Sequence, residues 1–189
     1  MIPTITNKKT GFTLIEMLVV VALSATIMLA LSVLFYNFYN LSGYQEASIQ
    51  STGSVNTVMR GAESLVLPAD AILESHDFSG TLYNSTPSSL VIEIPSTTIS
   101  GDDVPNTYDY AVIYVVGTDV YRLLETSQQS ARIPGMKLLG TSITSLTFSY
   151  NADTYASSTA VTLGVKTAIK EKENIVSDHL SEQLWLRNH

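Results

Sequence analysis

The chain has 189 residues, no cysteine and a formal net charge of −7. This length allows one long helix and one domain of ordinary size. The lack of cysteine excludes disulfides, thiolate metal sites and cysteine nucleophiles, so the core must hold without covalent cross-links. The excess of acidic over basic residues argues against a nucleic-acid-binding surface, which requires clustered lysine and arginine.

A long apolar segment occupies residues 12–36 and contains one acid, Glu16. As a helix rising about 1.5 Å per residue it would span about 37 Å, more than the hydrocarbon core of a bilayer, which is about 30 Å thick. A carboxylate inside a membrane costs roughly 2.5–3.5 kcal/mol on insertion scales, so an acid at such a position indicates a function. We therefore predict a membrane-spanning helix over residues 12–36 in which Glu16 has a functional role.

A short basic stretch precedes the apolar segment. Residues 1–11 are polar and include Lys8 and Lys9. Because positive charge accumulates on the cytoplasmic side of a membrane span, this asymmetry predicts a cytoplasmic N-terminus and an outward-facing C-terminal domain.

Two simpler explanations of this N-terminus remain open. A secretory signal would use residues 12–23 as its apolar region and be cleaved after Ala25, but Glu16 interrupts that region. A plain single-pass anchor would hold an outward β-domain that binds a ligand without assembling into a filament. The anchor accounts for the span, but it does not account for the spacing of Gly11 and Glu16 around Phe12.

The junction between the basic stretch and the apolar segment reads Lys8-Lys9-Thr10-Gly11, followed by Phe12-Thr13-Leu14-Ile15-Glu16. It resembles the processing signal of type IV pilin-like proteins, which comprise type IV pilins, competence pseudopilins and the pseudopilins of type II secretion systems. The shared features are a basic leader, a glycine, an aromatic residue, and a glutamate at the fifth mature position. The resemblance covers about the first 35–60 residues, so the rest of the chain is interpreted separately.

The resemblance implies proteolytic processing. Prepilin peptidase would cleave between Gly11 and Phe12, removing residues 1–11 as a leader peptide, and the new Phe12 amine would be N-methylated. Gly11 has no Cβ, which leaves the bond open to a membrane peptidase. The chain would then be a substrate of the peptidase and methyltransferase rather than an enzyme.

The resemblance also implies assembly through the helix. An unpaired carboxylate in a medium of low dielectric constant takes up a proton, whereas a paired one attracts its cation strongly. Glu16 would therefore pair with the Phe12 amine of a neighbouring subunit, so that both are assembly residues. The alternative is an unpaired, protonated Glu16 near the membrane interface. The implied partners are other pilin or pseudopilin subunits, the prepilin peptidase and methyltransferase, and an inner-membrane assembly platform.

The remaining residues predict an α+β, pilin-like fold. Apolar residues recur at helical spacings through residues 37–67, so this part is the amphipathic half of one long helix that Pro68 ends. Residues 68–189 alternate as strands do and form an outward-facing, β-rich globular domain. Residues 99–107 are expected to be a loop, and Pro95 is expected to end its strand. Five or six mostly antiparallel strands are predicted, from the candidate segments 81–83, 89–94, 108–116, 118–125, 138–150, 159–170 and 182–187.

Further features favour a minor subunit. Residues 142–150 and 184–188 resemble the C-terminal sheet of minor pseudopilins, most of all the J-type subunit or its pilus counterpart. Major subunits often carry a helix-kinking proline about twenty residues into the mature span, where this chain has Ser32-Val33-Leu34. A K-type tip subunit that lacks the membrane glutamate is set aside, because Glu16 is present. The sequence thus predicts a minor subunit of a pseudopilus or pilus tip for protein secretion, adhesion and motility, or DNA uptake.

Catalytic and metal-binding motifs are absent. The sequence has no His-Glu-x-x-His, no Gly-x-Ser-x-Gly and no glycine-rich phosphate loop, and His76, His179 and His189 are scattered as surface histidines are. We therefore predict no enzymatic activity, no metal and no cofactor.

Two other groups of side chains were considered for binding. Calcium takes six to eight oxygen ligands, and a solvated acidic loop is the simpler interpretation of Asp102, Asp103 and Asp109. Four tyrosines of the central predicted hairpin are interpreted as sheet residues that could contribute to a contact face: Tyr108, Tyr110, Tyr114 and Tyr121.

Overall fold

The computed structural model describes residues 11–187. The chain forms two compact units, one ending at Gly43 and the other beginning at Tyr44. Within the described residues the only α-helix, α1, spans Leu14–Val66. It ends two residues before Pro68, whose ring disfavours a helical conformation in the residue that precedes it.

Ten strands follow α1 within the described part of the chain. They are β1 (Ala71–Leu73), β2 (Ser75–Phe78), β3 (Thr81–Asn84), β4 (Leu90–Thr97), β5 (Asp103–Val116), β6 (Asp119–Glu125), β7 (Gly135–Gly140), β8 (Ile143–Tyr150), β9 (Ala160–Glu171) and β10 (Asn174–Trp185). A 3₁₀ turn, Tyr155–Ser157, lies between β8 and β9. All of the strand pairs are antiparallel.

The strands form three sheets. The largest has the order β1-β4-β5-β6-β7, the second has the order β10-β9-β8, and β2 and β3 form a separate hairpin. The β5–β6 hairpin, which the sequence predicted, lies at the centre of the largest sheet and pairs Tyr114 with Tyr121. Its turn contains Gly117 at a φ of 64°, a left-handed conformation that glycine adopts without steric cost.

One apolar core joins residues 55–66 of α1 to both larger sheets. The buried side chains in this part of the helix recur three or four residues apart, among them Val55, Val58, Ala62 and Leu65. Strand residues of the same core include Ile92, Ile113, Leu146 and Leu163. The second half of the helix is therefore amphipathic and packs through one face.

Two glycines let α1 and the end of β7 approach closely. A Cβ atom at Gly140 would lie 2.6 Å from Val58 Cγ2, and one at Gly61 would lie 2.7 Å from Leu139 Cδ2. Packed interiors leave no room for such contacts, so a larger residue at either glycine would push helix and strand apart.

The structure corrects two predicted boundaries in the largest sheet. Pro95 does not end its strand, because β4 continues to Thr97 across a register shift between these two residues. Such irregularities are places where a sheet tolerates a residue that has no N–H to donate. The predicted loop 99–107 is also wrong in part, since β5 already begins at Asp103.

Two more corrections concern the C-terminal third of the chain. The predicted strand 138–150 is two strands in different sheets, because the chain turns at Ser142 with a φ of 59°. The last strand is not confined to residues 182–187, since β10 begins at Asn174 and pairs with β9 along its whole length.

The predicted α+β, pilin-like fold class is confirmed. One long N-terminal helix, apolar at its start, packs through residues 55–66 against antiparallel sheets. The predicted boundary between a membrane-embedded and an amphipathic half of the helix stays a prediction.

Candidate processing and assembly site

Thr13 and Glu16 form a capping box at the start of α1. The Glu16 carboxylate accepts hydrogen bonds from the backbone N–H and the hydroxyl of Thr13, at 2.8 and 3.0 Å. In return, the Glu16 N–H donates to Thr13 Oγ1 at 3.3 Å. This reciprocal pairing satisfies two of the backbone donors that the start of a helix leaves without partners. In lipid such pairing matters more, because no water is present to replace it.

The side chains around this capping box are apolar and exposed. Phe12 is 78% exposed and Leu14 is 85% exposed. An 18-residue window of α1 has a mean hydropathy of 2.7, and none of that window is buried in the described structure. A helix that is apolar on every side requires apolar surroundings. By length and composition, α1 can cross a membrane.

The two predicted assembly residues lie side by side at the exposed start of the helix, Phe12 just before α1 and Glu16 in its first turn. Phe12 and Glu16 line a shallow groove of about 280 Å³ together with Ile15, Val19 and Val20. Spacings of three and four residues bring these side chains to the same side of a helix. Glu16 is the polar member of an otherwise apolar groove.

Gly11 is exposed at the end of the described chain. A Cβ atom built at this position would have no neighbour within 4 Å. Nothing in residues 11–187 therefore requires a glycine here for folding.

Residues 6–32 match the family model described as the prokaryotic N-terminal methylation motif. The chain carries a prepilin-type signal. The match supports a type IV pilin-like protein that is processed, methylated and anchored in a membrane, and it implies prepilin peptidase and other pilin subunits as partners. It also suggests a structural subunit rather than an enzyme. Comparisons with curated proteins and with solved structures gave no match.

Most of the predicted leader of this pilin-like chain lies outside the described residues. Lys8 and Lys9 are among these residues, and the described range 11–187 begins at the predicted cleavage site. Cleavage between Gly11 and Phe12, and methylation of Phe12, therefore stay predictions that the sequence match supports.

Thr13 is the residue of this site that sequence analysis missed. A threonine three residues before a glutamate, at the start of an apolar run, is the pattern of a capping box and could have identified it. Its hydrogen bonds also bear on the alternative of an unpaired Glu16, because the carboxylate has a partner within its own chain.

The three acids considered as calcium ligands do not form one site. Asp103 pairs with Arg187 at 3.0 Å where both side chains are exposed, whereas Asp109 is fully buried and pairs with Arg132 at 2.7 Å. Across residues 11–187, no group of three histidines or acids is arranged to hold a metal ion.

Asp109 is the centre of a buried polar network. Its carboxylate accepts hydrogen bonds from the Ser96 and Ser130 hydroxyls, the Ser127 N–H and the Arg132 guanidinium. Burial by itself would raise the pKa of this carboxyl, but the four donors hold the pKa of Asp109 below its usual value of 3.8. The network ties the segment between β6 and β7 to strands β4 and β5.

His76 belongs to an aromatic cluster on the outer face of the largest sheet. Its ring stacks on that of Tyr110 with centroids 3.8 Å apart, and its Nε2 lies 3.1 Å from Glu125 Oε2. Further along the same face, the rings of Tyr114 and Tyr121 stack at 6.1 Å. The contacts of His76 attach the β2–β3 hairpin to the sheet. All four tyrosines are sheet residues, as predicted, since Tyr108, Tyr110 and Tyr114 lie in β5 and Tyr121 lies in β6.

Proposed function

We propose that this chain is a minor pilin or pseudopilin subunit, inserted in the inner membrane with a cytoplasmic N-terminus and an outward β-rich domain. It loses residues 1–11, is methylated on the Phe12 amine, and joins a pseudopilus or a pilus tip for protein secretion, adhesion and motility, or DNA uptake. The observation that carries the proposal is the position of Glu16. This acid lies in the first turn of an exposed apolar helix, four residues after the aromatic residue of a methylation motif.

Glu16 can hold Thr13 and bind a second cation at the same time. A carboxylate offers about four acceptor positions, and both donors of Thr13 bind Oε2. Among the described residues, Oε1 accepts no hydrogen bond. The Phe12 amine of a neighbouring subunit can therefore pair with Oε1 while Thr13 fixes the orientation of the carboxylate. In a medium of low dielectric constant this attraction is far stronger than in water, so it sets the axial register of adjacent helices.

The surroundings of Gly11 support a role in processing. Since residues 11–187 leave space for a side chain at this position, a requirement for glycine would come from the enzyme that binds and cleaves the adjacent bond. Gly53 offers a matched control, because a Cβ atom there also meets nothing within 4 Å.

A J-type minor pseudopilin, or its pilus counterpart, is the finer assignment within this proposal. No proline interrupts α1 between Leu14 and Val66, which is unlike the kinked helix of many major subunits. The resemblance of residues 184–188 to the C-terminal sheet of minor pseudopilins supports the same assignment.

Mass spectrometry of the mature N-terminus tests the proposal. When the full-length protein is expressed with prepilin peptidase, the mature chain is expected to begin at methylated Phe12. An intact Met1 would indicate a membrane-anchored β-domain that binds a ligand without assembling, and cleavage after Ala25 would indicate secretion. The Gly11→Trp variant is expected to remain as the precursor that keeps residues 1–11, whereas Gly53→Trp is expected to be processed normally.

A further inference from the structure

The largest sheet ends in β7, and no other described strand pairs with its outer edge. Residues 133–138 are all exposed, including three large apolar side chains, Ile133 at 83%, Met136 at 65% and Leu138 at 45%. An exposed edge strand presents a row of backbone N–H and C=O groups that another chain can pair with. This edge is therefore a candidate interaction surface.

Two of the other edges in the described sheets are short or covered. β1 has only three residues. The edge of β8 is bonded to the segment before β4, because the Phe148 N–H donates to the Pro87 carbonyl at 2.8 Å and the Tyr150 hydroxyl donates to the Thr86 carbonyl at 3.2 Å. Neither edge offers a long open row of backbone groups.

The edge of β10 is long but carries two acids. Asp178 and the exposed Glu182 lie between the buried Val176 and Leu184 on one face of the strand. Charged side chains on an edge strand are a device by which natural sheets prevent pairing. Of the longer edge strands in the described sheets, β7 is the one that is neither bonded to another segment, as β8 is, nor lined with acids, as β10 is.

Two basic residues lie side by side next to the open edge. Arg122 of β6 and Lys137 of β7 are directly opposite in register, so their side chains share one face of the sheet. Like charges at such positions destabilise a sheet, and neither residue forms an ion pair within residues 11–187. Arg122 Nε is also buried without a hydrogen-bond partner in the described structure. Two adjacent, unpaired basic residues are unusual in a chain with a net charge of −7, and they indicate that a bound partner supplies a carboxylate here.

The opposite face of the same edge is apolar. Leu138 lies directly opposite Tyr121, and the Tyr114 hydroxyl donates to Met136 Sδ at 3.4 Å. The outer face next to β7 therefore offers a fixed apolar strip.

We infer that β7 is a docking edge for an extended strand of another protein, one that presents a carboxylate toward Lys137 and Arg122 and apolar side chains toward Met136 and Leu138. Successive side chains of a strand point to opposite faces, so a single alternating sequence meets both requirements. The backbone pairs supply affinity and the carboxylate fixes the register. This inference does not depend on assembly through Glu16.

A second copy of this chain fits the edge poorly. Pairing of β7 with the β7 of another copy would bring two more basic residues to a place that already has two. A lysine on an edge strand can also serve to prevent pairing altogether. The two roles differ in one result, because a blocking lysine predicts that Lys137→Gln increases self-association of the protein, whereas a docking lysine predicts no such increase.

Peptide binding to the full-length protein in detergent micelles tests the inference. Three synthetic seven-residue peptides of alternating valine and threonine differ only at the central residue, which is glutamate, glutamine or lysine. The glutamate peptide is expected to bind and to slow amide hydrogen exchange in residues 135–140. The glutamine peptide should bind about tenfold more weakly, the loss expected for one charge-assisted hydrogen bond, and the lysine peptide more weakly still.

Charge reversal separates this edge from a general charge effect. The Lys137→Glu variant is expected to prefer the lysine peptide. Lys166→Glu makes the same change at an exposed position on β9, in the other sheet, and is expected to keep the preference for glutamate. Equal binding of the three peptides, no binding at millimolar concentration, or self-association of Lys137→Gln would each overturn the inference.

Discussion

The two compact units of this chain differ in the exposure of their apolar side chains and in the number of donors that hold one key acid. Among the described residues of the unit that ends at Gly43, the large apolar side chains are exposed, and Glu16 accepts hydrogen bonds from one residue, Thr13. In the unit that begins at Tyr44 the apolar side chains form a core, and the buried Asp109 receives hydrogen bonds from four residues. Asp109 thus has four partners within its own unit, which is the arrangement of a structural acid. Within residues 11–187 the second carboxylate oxygen of Glu16 has no donor, and we propose that a neighbouring subunit supplies one.

Replacing Glu16 is expected to produce the largest effect. Glu16→Leu should still insert into the membrane but should fail to enter the filament, because the neighbouring Phe12 amine loses its counter-charge. The measurement is the fraction of subunit recovered in sheared or cross-linked filaments. Met17→Leu, a change of similar volume at the next residue, should assemble normally. Normal incorporation of Glu16→Leu would show that the open oxygen has no role in assembly.

Asp109→Asn is expected to affect stability instead of assembly. Removing one partner of a buried ion pair costs about 3–5 kcal/mol, because the remaining charge is left without compensation. Urea unfolding of the full-length protein in detergent measures this loss. Asp103→Asn removes the same charge from an exposed pair and should cost less than about 1 kcal/mol. Similar losses for the two variants would contradict a structural role for the buried network.

These two acids also show what could be predicted from the sequence. The role proposed for Glu16 is inferred from its spacing to Phe12 within one apolar run, which is local information. The partners of Asp109 lie between 13 and 23 residues away along the chain and become neighbours only when the strands pair. No local pattern marks such a residue.

The same distinction holds for the fold. The long helix and the β5–β6 hairpin have strong local signals. The helix is marked by apolar residues at helical spacing, and the hairpin is marked by the glycine in its turn. In contrast, β10 is mostly polar and exposed, and it is a strand because β9 pairs with all twelve of its residues. The division of residues 138–150 between two sheets depends on the left-handed conformation of Ser142, which the residues around it do not predict.

The pH dependence of stability sharpens the comparison between the two acids. The folded state holds the pKa of Asp109 below the usual value of 3.8, so the unfolded state binds its proton first as the pH falls. The stability from Asp109 is therefore fully present above about pH 5 and decreases as the pH falls from about 4 through the folded pKa. In urea unfolding of the wild type and of Asp109→Asn, the difference in unfolding free energy should shrink over this acidic range. A constant difference would show that the charge of Asp109 does not matter.

The smallest expected effect concerns Thr13, which holds the Glu16 carboxylate. Thr13→Val keeps the shape and the backbone N–H but removes the hydroxyl, and loss of an N-cap side chain typically costs about 0.5–2 kcal/mol. Incorporation in competition with the wild type should fall severalfold rather than vanish, because the backbone bond to Glu16 remains. Thr13→Ser retains the hydroxyl and should assemble almost normally.

A double substitution decides whether Thr13 acts through Glu16. If Thr13 serves only to orient the carboxylate, then Thr13→Val should not lower the residual assembly of Glu16→Leu any further, since the effects of coupled residues do not add. An additional loss in the double variant would mean that Thr13 contacts a neighbouring subunit or the assembly platform directly. Asp109 has no such single supporting residue, because its four donors share the task. This difference in the number of supporting donors is why we expect Glu16, and not Asp109, to bind a second molecule.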